Sequence, residues 1–174
     1  MLRDAMTLDT LVFQRPCGGR VKVGPEAHSQ FLRFRQMAPH QEEAGGVMLG
    51  RHLLDCNDTV IDEVTSPLPG DRRGRFSFHR ASQRHQAVMD ARWTASGGTC
   101  LYLGEWHTHP EPWPSPSGVD INDWRRRLNE DSFEGDSLLF LIIGMDGMNA
   151  WEGLRHARRI VPLPRWQPLA PTAP

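Results

Sequence analysis

Hydrophobic and polar positions change their spacing several times along the chain, and each change marks an element. Thr10 to Gln14 and Arg20 to Val23 read as short strands across a turn at Pro16, Gly18 and Gly19. Gly24-Pro25 opens a helix with proline at its first position. Its face of Ala27, Phe31, Phe34 and Ala38 recurs every three or four residues, and Pro39 ends it. Val47 to Leu54 and Thr59 to Val64 form a strand pair around Asn57-Asp58. Pro67 to Arg75 has turn residues and arginines but no apolar period, which predicts an exposed insertion loop. Arg75 to His79 then alternates as a strand, with Phe76 and Phe78 on one face.

A second helix is expected over Ala81 to Ala95, burying Ala81, His85, Val88, Met89 and Trp93, and Ser96-Gly97-Gly98 stops it. Thr99 to His109 reads as a buried strand, followed by a proline-studded loop to Pro116 and a third helix after Ser117. The unbroken apolar run in Ser137 to Gly144 is that of a central strand. Asn149 to Gly153 and Ala157 to Val161 add shorter ones. The irregular mixture predicts an α/β fold, a curved mixed sheet flanked by about three helices, over residues 10–161. Residues 1–9 are expected to be flexible. Residues 162–174, with five prolines in thirteen positions, are expected to be extended or disordered.

Composition narrows the classes. A chain of 174 residues is expected to form one domain, and 39% hydrophobic with 24% charged residues is an ordinary soluble composition. The longest uncharged apolar run, Leu138 to Gly144, is far short of the roughly 20 residues that span a bilayer. Met1-Leu2-Arg3-Asp4 does not begin a signal peptide. A cytoplasmic protein without membrane contact is expected. The net charge of −1 gives no footprint for nucleic acid. Cys17, Cys56 and Cys100 are odd in number and widely spaced, against both a disulfide framework and a sulfur-ligated zinc; Cys100 reads as core. Lys22 is the single lysine beside nineteen arginines, which fits either GC-rich codon usage or selection for few modifiable amines.

The chemistry concentrates in Gly104-Glu105-Trp106-His107-Thr108-His109-Pro110 and the following Ser117-Gly118-Val119-Asp120. On a strand, residues two apart share a face, so His107 and His109 present two imidazoles side by side while Thr108 points into the packing. Zinc accepts imidazole nitrogen and carboxylate oxygen at about 2 Å, and a catalytic site keeps three protein ligands and one open position. Asp120, in the first turn of the next helix, is the candidate third ligand, and Ser117 also fits that helix as its N-cap. Upstream, Glu42-Glu43-Ala44-Gly45-Gly46 offers a carboxylate as base, with two glycines that let the backbone approach another element closely. Residue chemistry alone does not choose between Glu42 and Glu43.

His107-x-His109, seven residues, Ser117, two residues, Asp120, with Glu43-x-Gly-Gly-x-x-x-Gly50 upstream, resembles the JAB/MPN (JAMM) metalloprotease family without a departure in the motif. The resemblance covers about Thr10 to Val161 and implies a JAB/MPN-like, cytidine-deaminase-like domain. It implies His107, His109 and Asp120 as zinc ligands, Glu43 as base and Ser117 as oxyanion partner. It also implies cleavage of isopeptide or peptide bonds after the C-terminal glycine of ubiquitin-like proteins. More narrowly, Leu101 to Pro110, with His85 to Trp93 and Trp124, resembles a prokaryotic subgroup known from integrative and conjugative elements. That subgroup includes the deconjugating protease of CBASS antiphage operons, encoded beside a fused E1/E2-like conjugating enzyme. The substrate implied there is a cGAS/DncV-like nucleotidyltransferase joined through its C-terminal tail to a target amine.

Three alternatives share parts of the pattern. A protease for a ubiquitin-like or sulfur-carrier protein in another operon would use the same chemistry, whereas a catalytically silent MPN-type scaffold would lack ligands that are all present here. RadC-type DNA-repair-associated proteins carry a similar segment but bring a helix-hairpin-helix region, for which no room is expected before Thr10. A tail ending in glycine must be stretched to reach the metal, which strand addition achieves. The Arg72, Arg73 and Arg75 stretch is then either a flap over that tail or a solvated loop. Arg125, Arg126 and Arg127 read as a solvated helix face.

Overall fold

The computed structural model describes residues 11–167, so the expected flexible segment 1–9 and the end of the proline-rich stretch lie outside the described residues. The chain starts with a hairpin of β1 (Leu11–Gln14) and β2 (Arg20–Val23), then α1 (Pro25–Arg33). Next come β3 (Gly45–His52), β4 (Thr59–Val64) and a small hairpin of β5 (Arg72–Gly74) and β6 (Ser77–His79). α2 (Ser82–Ala95), β7 (Leu101–Thr108) and α3 (Gly118–Glu130) follow, and then β8 (Ser137–Ile143), β9 (Met148–Leu154) and β10 (Arg159–Leu163) among the described residues.

Eight strands form one mixed sheet in the order β1-β2-β4-β3-β7-β8-β9-β10. β7 is antiparallel to β3 and parallel to β8. β8 explains its own apolar run. Leu139, Leu141 and Ile143 join the core that contains Phe31 of α1 and Trp106 of β7. Leu138, Phe140 and Ile142 join the core under Trp124 and Leu128 of α3. Both faces of the strand are covered, so no polar position is tolerated in its interior. The same two layers divide β7: Trp106 packs against Phe31 with ring centroids 5.2 Å apart, and the His107 ring lies 6.4 Å from that of Trp124.

Four expectations are corrected. α1 ends at Arg33, with Phe34 as its cap, rather than running to Ala38. Gln36 instead turns its carboxamide inward, donating to the Gln41 and Arg75 carbonyls, and Pro39 disfavours helix at Ala38. The expected insertion loop contains β5, paired to β6 by Arg72↔His79 and Gly74↔Ser77. α2 buries only His85; Trp93 is 57% exposed and lies over Gly98. The proline-rich stretch begins inside the sheet: Pro162 and Leu163 belong to β10, and Arg165 bridges to Phe13. No described helix is long and apolar enough to cross a membrane.

Candidate metal centre

β3 and β7 carry the site side by side. Gly45 pairs with His107 and Gly46 with Trp106. A Cβ on Gly45 would stand 2.5 Å from the Phe78 ring, and one on Gly46 would stand 2.2 Å from the Thr65 carbonyl oxygen. The glycines therefore admit the β5–β6 hairpin, through Phe78, and the residue after β4, Thr65, into contact with β3. Thr108 points away from the imidazoles as expected, where its hydroxyl accepts from Ala44 N (2.9 Å) and donates to Gln36 Oε1 (3.0 Å). This ties the segment carrying Glu43 to the strand carrying the histidines.

His107, His109 and Asp120 converge. The two Nε2 atoms are 3.0 Å apart, Asp120 Oδ1 is 3.1 Å from His107 Nε2, and Asp120 Oδ2 is 3.5 Å from His109 Nε2. Three donors bound tetrahedrally at about 2 Å from one ion are spaced by about 3.3 Å, so the set fits a small divalent cation. Its electrostatics agree. Burial disfavours a charged His109, but Asp120, Glu43 and Glu111 outweigh it and raise the imidazole pKa, so the pocket favours a cation. Burial likewise pushes Asp120 up, yet hydrogen bonds from both imidazoles hold it well below the usual carboxylate range.

Asp120 is fixed by a capping box. Its Oδ2 accepts from Ser117 N at 2.6 Å, and Ser117 Oγ accepts from Asp120 N at 3.2 Å. The N-cap and site readings of Ser117 are thus compatible in one geometry. Glu43 and Glu42 separate clearly. Glu42 is exposed, whereas Glu43 is 4% exposed, with Oε1 3.9 Å from His109 Nε2. Burial raises Glu43 to about 7, His109 pulling it down and Asp120 and Glu111 pushing it further up. Its backbone is held at both ends by β5: Glu43 N donates to Gly74 O, and Arg73 Nε donates to Glu43 O, each at 2.7 Å.

The Arg72–Arg75 stretch is therefore a roof bonded to the Glu43 segment, not a solvated loop; Arg75 also donates to the Ala38 and Pro39 carbonyls. A groove of 1280 Å³ runs from the metal ligands between β6 and α3, with Phe76 and Val119 exposed at its mouth. Arg127 is not solvated either; with Arg80 it pairs to Glu105 on the groove floor. Sequence reasoning missed Glu111, whose Oε1 lies 3.3 Å from His109 Nδ1, and Gln36. Glu111 follows His109 by two residues, which could have marked it; nothing in the sequence marked Gln36.

The family of prokaryotic homologs of the JAB domain matches residues 25–154. The chain belongs to this family. Among curated relatives, the JAB domain is similar to the CD-NTase/cGAS isopeptidase of Pseudomonas aeruginosa, 42% identical over 68% of this chain and 73% of the relative. It is 36% identical to the protein of that name from Vibrio cholerae, over 77% of this chain and 82% of the relative. A probable metalloprotease of Sinorhizobium fredii is 34% identical over 41% of this chain and 43% of its own. A protein of Desulfitobacterium hafniense solved in solution shares the fold at TM-score 0.55 and 21% identity, covering 84% of this chain and 90% of that one. The resemblance read from the motif and the α/β fold are borne out, and the chain is a JAMM-type hydrolase. Membership in the JAB family implies a metal ion, and the His107, His109 and Asp120 donors fit one.

Proposed function

We propose that this JAB domain is a zinc-dependent isopeptidase and peptidase. It cleaves after the C-terminal residue of a cGAS/DncV-like nucleotidyltransferase conjugated to a target amine, working in the cytoplasm, in antiphage defence, opposite a fused E1/E2-like conjugating enzyme. The convergence of His107, His109 and Asp120 beside the buried Glu43 carboxylate carries the chemical part of the reading. The relatives named CD-NTase/cGAS isopeptidase support its substrate over a ubiquitin-like protein.

His107, His109 and Asp120 would hold the zinc, which would supply Lewis acidity there. Glu43, pushed up to about 7 by burial, is poised to take a proton from the attacking water and return it to the leaving amine. Ser117 Oγ already accepts from Asp120 N, leaving its hydroxyl hydrogen free for the developing oxyanion. Among the described residues β6 pairs with β5 alone, so its other edge faces the groove and can receive an extended tail as an added strand.

The test is a cGAS/DncV-like nucleotidyltransferase fused through its C-terminus to a reporter amine, incubated with the protein with and without chelator. Chelator-sensitive cleavage at the junction is the expected result. Cleavage of a ubiquitin-like fusion in its place would move the substrate, and no cleavage of either would overturn the enzymatic reading.

A further inference from the structure

A second cavity, of 370 Å³, lies about 12 Å along α3 from Asp120, between the C-terminal half of that helix and the turn joining β9 to β10. Leu128, Leu154 and Ile160 give its lining an apolar part, and Arg125, Arg155 and Arg158 give it a cationic one. No carboxylate lines it. The nearby acids turn elsewhere: Asp131 accepts from the Tyr102 hydroxyl, and Glu130 lines the metal-site groove.

The three guanidinium groups are not equivalent. Arg155 is immobilised, donating from Nε to Leu128 O and from Nη2 to Asp131 O, both at 2.6 Å, with its plane 3.8 Å from the Phe133 ring centroid. Those bonds satisfy the terminal carbonyls of α3, so the negative end of the helix is masked by a fixed cation. Arg125 and Arg158 are exposed, and among the described residues neither pairs with a carboxylate. Arg158 also holds φ 50° at the end of the turn, a left-handed conformation that glycine adopts without strain. An arginine stands where the backbone would favour glycine, and its side chain lines the cavity.

We propose that this cleft binds a small phosphomonoester, the phosphate dianion gripped by Arg125, Arg155 and Arg158 and its apolar or aromatic body resting on Leu128, Leu154 and Ile160. Two exposed guanidinium groups without a carboxylate partner, set beside the fixed Arg155, suit a dianion better than a carboxylate, and the planar forks of Arg125 and Arg158 match phosphate oxygens in pairs. The volume sits at the small end of ligand pockets, which fits a compact metabolite. The cleft is separate from the metal centre, so the inference does not rest on the proposed activity.

Amide chemical-shift titration of the whole chain with phenyl phosphate, inorganic phosphate and phenol tests it. Phenyl phosphate is expected to saturate shifts at residues 125–129 and 154–160, inorganic phosphate to shift the same amides more weakly, and phenol to leave them unchanged. The double variant Arg125→Ala, Arg158→Gly should lose about tenfold or more in affinity. Its melting temperature without ligand should not fall, because glycine relieves the strained turn. Equal binding by the variant, shifts centred on His107 and His109, or equal binding of phenol would overturn the proposal. A phosphotyrosine pentapeptide binding ten times tighter than phenyl phosphate would overturn the metabolite assignment in favour of a modified chain.

Discussion

Replacing Glu43 by glutamine separates the cost of the base from its use. The carboxyl is driven from an ordinary 4.5 to about 7, chiefly by burial. That displacement corresponds to about 3 kcal/mol. The folded state holds the proton more tightly than the unfolded chain. Stability in metal-free protein therefore falls as pH rises from 4.5 to 7, and the full penalty stands above 7. Glutamine keeps the shape and carries no charge. In chelated protein at pH 8, Glu43→Gln should gain up to about 3 kcal/mol, which raises Tm by about 6–12 °C for a domain of this length. At pH 4 the two melting curves should converge. Zinc should shrink the gap at pH 8, because a neighbouring cation offsets the desolvated carboxylate. Over the same comparison, cleavage of the fusion should fall by about 100- to 10,000-fold, the usual worth of a positioned base. Melting by scanning fluorimetry at both pH values, with and without chelator, reads the first part and gel-resolved cleavage the second. A variant no more stable than the parent at pH 8 refutes the desolvation argument. Unchanged cleavage assigns the base to another group.

Three further outcomes follow from the geometry. Thr108→Val leaves the buried Ala44 N–H and the Gln36 carbonyl without a partner, so it should cost about 3 kcal/mol. A melting temperature within 2 °C of the parent would show that water or a rotamer change replaces both bonds. Burial pushes Asp71 up, but bonds from Ala81 N, Leu68 N and His85 outweigh it and hold its carboxyl below its ordinary value. Its stabilisation is present above about pH 4 and lost on further acidification. Asp71→Asn should therefore flatten the acid limb of a stability curve, and an unchanged limb would place acid sensitivity elsewhere. Chelation should abolish cleavage and lower Tm, and zinc should restore both; full cleavage in excess chelator would remove the metal from the chemistry.

The strand carrying the histidines, the central apolar run of β8 and the capping box at Ser117 were legible because each rests on local periodicity or spacing. Leu138 to Ile143 had to be covered on both faces, and His107 with His109 had to share one. What escaped was decided by partners far away in sequence. Gln36 lies outside α1, where its carboxamide donates to the Arg75 carbonyl, 39 residues on. The Pro67–Arg75 stretch shows no apolar period because β5 binds through its backbone and arginines rather than through an apolar face. Helical spacing places Trp93 on the buried side of α2, but the structure leaves it open. Glu42 and Glu43 were indistinguishable by residue type, and only burial parts them.

The two hydrogen bonds between Glu43 and β5, one from its own amide and one from the Arg73 side chain, have an engineering consequence. The hairpin over the groove and the segment carrying the proposed base are tied directly to each other, so neither can be swapped as an independent module. A chimera that imports the 67–80 hairpin from a relative to change its selectivity must import 42–46 with it, or it will inherit a displaced carboxylate along with the new preference.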